Sequence, residues 1–264
     1  MGRKATLAVV IAVLRTSLAL GGDPSRSEFE SGIRDRNDAG KARVQFANAA
    51  ATADKSWNQY RQRTVAVAAN RGRAHFLAGD LPQSIRAFRE GLALYPWDAE
   101  LQRGLALARA AVAYPVETEP AARVRPDPPA EVRNRVSPFD LLIVSAVASF
   151  VLAVGLACRF TRRDRWAWPV VAVGFLGVLV AGGIWWQCDR EERRDRANPT
   201  VVIAADTVLR TGNGPSYPPR VEAALPRGAE VRERGRRGGW VQVELAGGAV
   251  GWVPETVVLK SAGE

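Results

Sequence analysis

Few residues of this chain are of the kinds that perform metal or nucleophilic chemistry. His75 is the single histidine, and Cys158 and Cys188 are the two cysteines. A metal site or a Cys–His nucleophile draws on several such side chains. The serine and aspartate residues fall into no nucleophile motif, and no glycine-rich phosphate loop of the required form is present. The sequence therefore predicts no catalytic residue, metal or cofactor, and we expect the chain not to be an enzyme.

Three aromatic residues near the C-terminus have the character of a peptide-binding surface. Tyr217 lies in a turn-rich stretch, and Trp240 and Trp252 fall within short strand patterns. Together they could form an aromatic groove for a peptide. The alternative is that the two tryptophans fill the core of a small β domain, where a large ring buries about 150–250 Å². We favour the core for both tryptophans, which leaves Tyr217 as the stronger ligand candidate.

The lone histidine has two interpretations. His75 falls in a helical pattern, where its ring would contact a ligand, sense pH or simply pack. No second histidine is available to complete a metal pair. We therefore favour a packed or half-exposed ring.

The charge balance does not indicate nucleic-acid binding. The chain of 264 residues has 37 Lys and Arg against 27 Asp and Glu, a net charge of +10. This excess is spread along the chain, whereas nucleic-acid-binding proteins concentrate cations on one face. Nucleic acid is therefore not an expected partner.

Two uncharged apolar stretches predict a pair of membrane helices. Leu141–Cys158 and Trp166–Cys188 contain no charged residue, and about 20 apolar residues cross the hydrocarbon core as a helix. We place the spans at residues 139–160 and 166–188, joined by an Arg-rich loop at 161–165. Such a short loop produces an antiparallel hairpin in the lipid bilayer, so both flanking segments must face the same compartment.

Two indicators of orientation disagree. Residues 1–22 combine a basic start with an apolar run at Ala5–Leu14 and predict a signal peptide or signal anchor, which would export both flanks. The arginines close to the spans favour cytoplasmic flanks, because the flanks hold twice as many as the loop. The first inserted segment usually sets the orientation. We therefore expect an inner (cytoplasmic) membrane protein with both flanking modules on the extracytoplasmic side.

Residues 23–114 have the periodicity of packed helices. Helices are predicted at about 39–57 and 64–78. A third has its apolar face at Ile85, Phe88, Leu92 and Tyr95, and a fourth is marked by Leu101, Leu105, Ala108 and Val112. Residues 115–138 are dense in proline and predict an extended linker. A charged linker is predicted at 189–199.

The stretch from Asn70 to Pro96 resembles a tetratricopeptide repeat. Gly72 stands at the small position of its first helix and Phe88 at the aromatic position of its second. The matching motif residues are Gly72, Gly79, Asp80, Ile85, Phe88 and Pro96. One repeat is clear and its neighbours are degenerate, while repeat proteins generally need about three units or caps. The resemblance implies a concave surface that binds peptides.

Residues 200–264 change to the period of short strands separated by turns, which predicts a sandwich or barrel. The candidate strands are Thr200–Ile203, Thr207–Arg210, Val221–Leu225, Glu230–Arg234, Trp240–Leu245 and Val250–Val253. The order of Val208–Tyr217, Leu225–Gly228, Gly239–Val243 and Gly251–Val253 resembles a bacterial SH3-type domain. That resemblance implies binding of cell-wall peptides or protein segments.

The order of the parts resembles the tetratricopeptide-plus-SH3 members of the bacterial Bat aerotolerance family. The fold class expected is a multidomain membrane protein with an α-helical tetratricopeptide-like module, a two-helix transmembrane hairpin and an all-β SH3-like barrel. The resemblance implies envelope protein partners, namely Bat-type proteins with von Willebrand A domains and, indirectly, a MoxR-type ATPase. The expected function is a membrane-anchored envelope scaffold or adaptor. The alternative is peptidoglycan binding through the SH3-like domain.

Overall fold

The computed structural model describes residues 25–35, 37–115, 123–125, 138–162 and 167–259. The predicted signal segment at 1–22 lies outside these residues, as do most of the proline-rich linker and residues 163–165 of the Arg-rich loop. The described part contains seven α-helices and one five-stranded antiparallel sheet.

Five helices form what we call the helical module. They are α1 (Arg26–Arg34), α2 (Ala39–Asn58), α3 (Val65–Leu77), α4 (Leu81–Leu94) and α5 (Ala99–Ala110). Helices α2 to α5 each begin with a side chain that accepts a hydrogen bond from a first-turn N–H, which stabilises a helix start; these caps are Asp38, Thr64, Asp80 and Asp98. The four predicted helices are confirmed, whereas α1 was not predicted.

Two long helices are long and apolar enough to cross a membrane. Helix α6 (Pro138–Arg162) and helix α7 (Ala167–Ala197) contain the apolar segments Phe139–Thr161 and Trp168–Arg190. Most residues of both segments are exposed, unlike the core helix of a soluble protein. The pair packs closely at Gly174, where a Cβ would lie 2.5 Å from the backbone nitrogen of Leu152. Small residues at such crossings are typical of membrane helix pairs.

Helix α7 continues well beyond its apolar segment. The predicted charged linker at 189–199 is helical as far as Ala197, and Arg193 pairs with Asp189 one turn away at 2.8 Å. Nine residues of helix beyond Cys188 rise about 13 Å at 1.5 Å each. Only Asn198 and Pro199 separate α7 from the first strand. The sheet is therefore attached almost directly to α7.

The sheet and its loops form what we call the β domain. Its strands are β1 (Thr200–Ile203), β2 (Glu230–Arg237), β3 (Trp240–Glu244), β4 (Val250–Pro254) and β5 (Val258–Leu259), in the order β4-β3-β2-β1-β5. The tight β2–β3 turn uses Gly238 and Gly239, both at positive φ, which a hairpin of this length requires. The buried core consists mainly of aliphatic residues, among them Val201, Ile203, Leu209, Leu225, Val231, Val241, Val243 and Val253.

Two predicted strands are wrong. Thr207–Arg210 and Val221–Leu225 form only isolated bridges, with Thr207 and Leu225 exchanging backbone hydrogen bonds. The stretch between them contains Pro215, Pro218 and Pro219, and a proline has no N–H for a ladder. Four predicted strands are confirmed, while β5 was not predicted.

The helical module and the β domain pack against each other along a contact that we call the seam. Val202 of β1 is buried in the same apolar cluster as Ile85 and Val112. Gly228 also approaches this cluster, and a Cβ there would lie 2.9 Å from Val112 Cγ2. Because its φ is also +88°, this position favours glycine on both steric and conformational grounds.

A buried carboxylate stands at the centre of the seam. Glu230, the first residue of β2, accepts hydrogen bonds from Arg89 Nη1 of α4 at 2.7 Å and Arg109 Nη2 of α5 at 2.9 Å. Burial alone raises the pKa of Glu230, but the hydrogen bonds and charges of the two arginines outweigh it and leave that pKa below its usual range. Glu230 is therefore charged at neutral pH.

Part of the predicted proline-rich linker also contacts the β domain. Val124 is fully buried among the core residues of the β domain. The carbonyl of Arg123 accepts a hydrogen bond from the Gly247 N–H at 3.1 Å. A segment between α5 and α6 therefore packs on the β domain, a contact that its composition did not predict.

Candidate protein-binding site

An open groove of about 360 Å³ lies on the helical module. Its walls come from α1, α3 and α5, which are the first, third and fifth helices of the module. The lining residues are Phe29, Arg73, Phe76, Leu77, Phe88, Glu100, Arg103, Gly104 and Leu107. The β domain contacts α4 and the end of α5 instead, so the groove and the seam use different surfaces of the module.

The floor of the groove is the ring of Phe88. A Cβ at Gly72 or Gly104 would lie 2.6 Å or 2.4 Å from this ring. No side chain fits at either position unless the ring moves, and Phe88 is buried. The two glycines therefore let α3 and α5 close over Phe88, which fixes the spacing between two walls of the groove.

The groove combines an apolar surface with three charged side chains. Arg73 Nη2 pairs with Glu100 Oε1 at 2.6 Å across the α3–α5 gap. Arg103 Nε donates to the Ala99 carbonyl of its own helix at 3.0 Å. Phe29, Phe76 and Leu107 supply the apolar contribution. This arrangement suits a segment of a protein with both apolar and polar side chains.

A buried cluster of charged side chains joins α2, α3 and α4 on the side of α3 away from the groove. Arg71 of α3 is fully buried and pairs with Asp54 of α2 and Glu90 of α4. Its guanidinium also lies 5.7 Å from the ring centre of Trp57, within cation–π range. One side chain therefore joins three consecutive helices, and Arg86 adds a second cation at 3.1 Å from Glu90.

His75 belongs to this charged cluster, and its packed-ring interpretation is confirmed. The ring is buried, with Nε2 at 3.1 Å from Asp54 Oδ2. Burial raises the pKa of Asp54, but its hydrogen bonds with His75 and Arg71 outweigh burial and hold that pKa below the usual range. Within the described residues, no group of three His, Cys, Asp or Glu side chains could hold a metal ion.

The predicted repeat residues have structural positions in and beside the groove. Gly72 and Phe88 form the groove floor described above, and Ile85 is fully buried. Gly79 ends α3 in the left-handed region at φ +82°, and Asp80 caps α4 by accepting from the Gln83 N–H. Pro96 follows α4, and its carbonyl accepts a hydrogen bond from Gln102 Nε2 at 2.7 Å.

The predicted aromatic residues lie on neighbouring segments of the β domain. Trp240 and Trp252 are half-buried on the sheet face opposite the core, because the alternate residues Val241 and Val253 are the buried ones. The interpretation that both tryptophans fill the core is therefore wrong. Tyr217 is 49% exposed, and its ring packs on Gly212 of its own loop.

Arg210 connects the loop of Tyr217 to the tryptophan strand. Its backbone exchanges hydrogen bonds with Trp252, and its Nη1 donates to the Tyr217 carbonyl at 2.8 Å. The structure thus brings the loop of Tyr217 beside β4, leaving Trp252 on the outer face of the sheet.

Comparisons with known protein families, with characterised proteins and with solved structures gave no match to this chain. The groove and the aromatic face are therefore interpreted from their own geometry and chemistry. Two features of the structure were not predicted from the sequence. One is α1, which brings Phe29 to the groove, and the other is the seam. Phe29 carried a weak signal, because Phe29 and Ile33 are spaced as one helical face.

Replacing Arg71 by Met should lower the free energy of unfolding by about 3 kcal/mol, since Glu90 would stay buried without this cation. This loss of unfolding free energy is at the low end of the range for breaking a buried ion pair, because Arg86 still contacts Glu90. Arg73→Met, on the exposed face of the same helix, should change it by no more than about 0.5 kcal/mol. Urea unfolding of the detergent-solubilised full chain, followed by circular dichroism, measures both. Equal losses in the two variants would contradict a structural role for the charged cluster.

Proposed function

We propose that this chain is a membrane-anchored adaptor of the bacterial envelope that binds partner proteins in the groove of its helical module. The observation that carries the proposal is the groove itself, which is open and largely apolar, with walls from α1, α3 and α5 and a floor from Phe88 of α4. The proposal includes a tetratricopeptide-like identity for the helical module, an SH3-like identity for the β domain and a relation to the Bat aerotolerance family.

The helical arrangement supports the repeat-like identity. Helices α1 and α2, then α3 and α4, form two successive packed pairs, and α5 packs against α4 and α3 as a fifth helix. The first helix of each pair and α5 form the walls of the groove, and Phe88 of α4 forms its floor. Repeat units of this kind bury a continuous core only when about three stack together or are capped. The five helices supply two pairs and a closing helix.

The resemblance to the Bat family supplies the proposed partners. Bat-type proteins with von Willebrand A domains would bind on the side of the membrane that holds the helical module and the β domain. A MoxR-type ATPase would act indirectly, through those proteins or through the loop at 161–165. Because the two modules are packed along the seam, the adaptor presents them to one partner as a single body.

We further propose that both modules lie on the extracytoplasmic side of the inner membrane. The signal-like residues 1–22 support this orientation, and the seam requires both modules to share one side. An alkaline phosphatase fused after Glu264 should be active in intact cells. A fluorescent protein at the same place that fluoresces, with an inactive phosphatase fusion, would contradict the proposed orientation.

A second candidate function is binding of peptidoglycan peptides by the β domain. Its support is the half-buried pair Trp240 and Trp252 on the outer sheet face, since aromatic side chains line peptide-binding grooves. The groove favours the adaptor function because it has a defined volume, a floor fixed by Phe88 and charged walls. The two functions differ in which surface a partner needs.

Binding of a Bat-type von Willebrand A domain to the full chain in lipid nanodiscs should therefore depend on the groove. Leu107 is 65% exposed at the groove, so Leu107→Asp should weaken binding at least about tenfold without unfolding the module. Val44→Asp, at a 59% exposed position on α2, and Trp252→Ala should leave binding unchanged. Biolayer interferometry measures all three variants.

The opposite pattern would contradict the adaptor function. If the von Willebrand A domain does not bind, or binds equally well to Leu107→Asp, the groove is not its site. If the nanodisc-embedded chain pellets with purified sacculi and Trp252→Ala abolishes pelleting, the peptidoglycan function holds instead.

A further inference from the structure

The groove has one cation that its own walls do not neutralise. Arg73 and Glu100 pair with each other at 2.6 Å, so together they contribute no net charge. Arg103 lines the same groove, and its Nε is held by the Ala99 carbonyl of its own helix. Among the residues that the structure describes, no carboxylate lies within ion-pair distance of Arg103. The groove therefore carries a net positive charge of about one at its α5 wall.

The unneutralised cation lies next to the most exposed apolar residue of the groove. Arg103 and Leu107 are four residues apart on α5, which places their side chains on the same helical face. Phe76 of α3 and Phe29 of α1 face the groove from the other walls. An occupant of the groove would release water from an apolar surface bordered by a cation.

We propose that the groove takes a partner segment in which a large apolar side chain stands close to an aspartate or glutamate. This inference rests on the proposed adaptor function and specifies the chemistry of its partner. The apolar side chain fills the space over Phe88 between Phe76 and Leu107, and the carboxylate pairs with Arg103. A basic segment would place like charges together, and a wholly apolar one would leave Arg103 desolvated without a partner.

The Arg73–Glu100 pair sets the strength of this acidic preference. Glu100 already forms an ion pair with Arg73, so of the two groove arginines only Arg103 is available to a partner. Removal of the Glu100 charge should release Arg73 and strengthen binding of an acidic segment. Removal of the Arg103 charge should weaken it. If these side chains had only a structural role, removal of the Glu100 charge and removal of the Arg103 charge would not change the affinity in opposite directions.

A random peptide library displayed on phage, selected against the full chain in nanodiscs, tests this partner chemistry. We expect the selected peptides to combine a large apolar residue with Asp or Glu, and to compete with one another for the groove. The same selection against Leu107→Asp should not recover them. A synthetic, fluorescein-labelled copy of the most frequent peptide is then the probe for measuring affinities by fluorescence anisotropy.

Three variants give the expected signature with that probe. Arg103→Gln should weaken binding about fivefold, and Glu100→Gln should strengthen it by a similar factor. Lys55→Gln, which removes the same charge from the exposed surface of α2, should change the affinity less than twofold. The effects of Arg103→Gln and Glu100→Gln should both shrink at high salt, because the charges are exposed.

Selected peptides that are basic or only apolar would overturn the proposal, as would recovery of the same peptides by Leu107→Asp. Equal effects of Arg103→Gln and Lys55→Gln would also overturn it. These failures are distinguishable from failure of the adaptor function. A von Willebrand A domain that binds the groove while the library selects basic peptides refutes the partner chemistry alone. An acidic peptide that binds while no envelope protein needs the groove refutes the adaptor function alone.

Discussion

The carboxylate of Glu230 lies between two arginines that precede it by 141 and 121 residues in the chain. A carboxylate removed from water is costly unless its charge is matched and its oxygens are hydrogen-bonded. Arg89 and Arg109 match the charge of Glu230 and donate hydrogen bonds to its oxygens. Water is excluded beside them by Ile85, Val112, Val202 and Gly228. The position of the β domain on the helical module depends on this match. Because the two modules lie before and after the helix pair α6 and α7, the seam also brings the two outer ends of this pair close together.

The groove depends on the same helices as the seam, although it uses other faces of them. Phe88 and Arg89 are consecutive residues of α4, one at the groove floor and the other at the seam. Behind them, Arg71 joins α2, α3 and α4 through Asp54 and Glu90. The groove is thus built on a module whose helices are held together by buried charge pairs and which packs on the β domain along the seam.

Local signals were sufficient to predict most of the helices and strands, whereas the long-range contacts between them could not be predicted. The α3–α4 turn was predicted from Gly79, Asp80 and Pro82. Each of these residue types suits a particular backbone position at the end or start of a helix, which neighbouring residues reveal. The two long apolar helices were predicted from the length of their apolar stretches and the absence of charge. Trp240 and Trp252 were assigned to the core because size alone does not tell the two faces of a strand apart. Glu230 looked like one of several alternating charges in β2, and only the fold shows that it is buried.

The double-mutant cycle between Glu230 and Arg109 tests the seam most directly. Glu230→Gln, Arg109→Gln and the double variant of the full chain are unfolded with urea in detergent at neutral pH. We predict a coupling free energy of about 1–3 kcal/mol. Because the folded-state pKa of Glu230 is lowered, its stabilisation is present above the usual glutamate pKa of about 4.3 and is lost as the pH falls through the lowered value. Single effects that add to within about 0.3 kcal/mol at neutral pH would show that the two modules do not meet at this carboxylate, and would contradict the account.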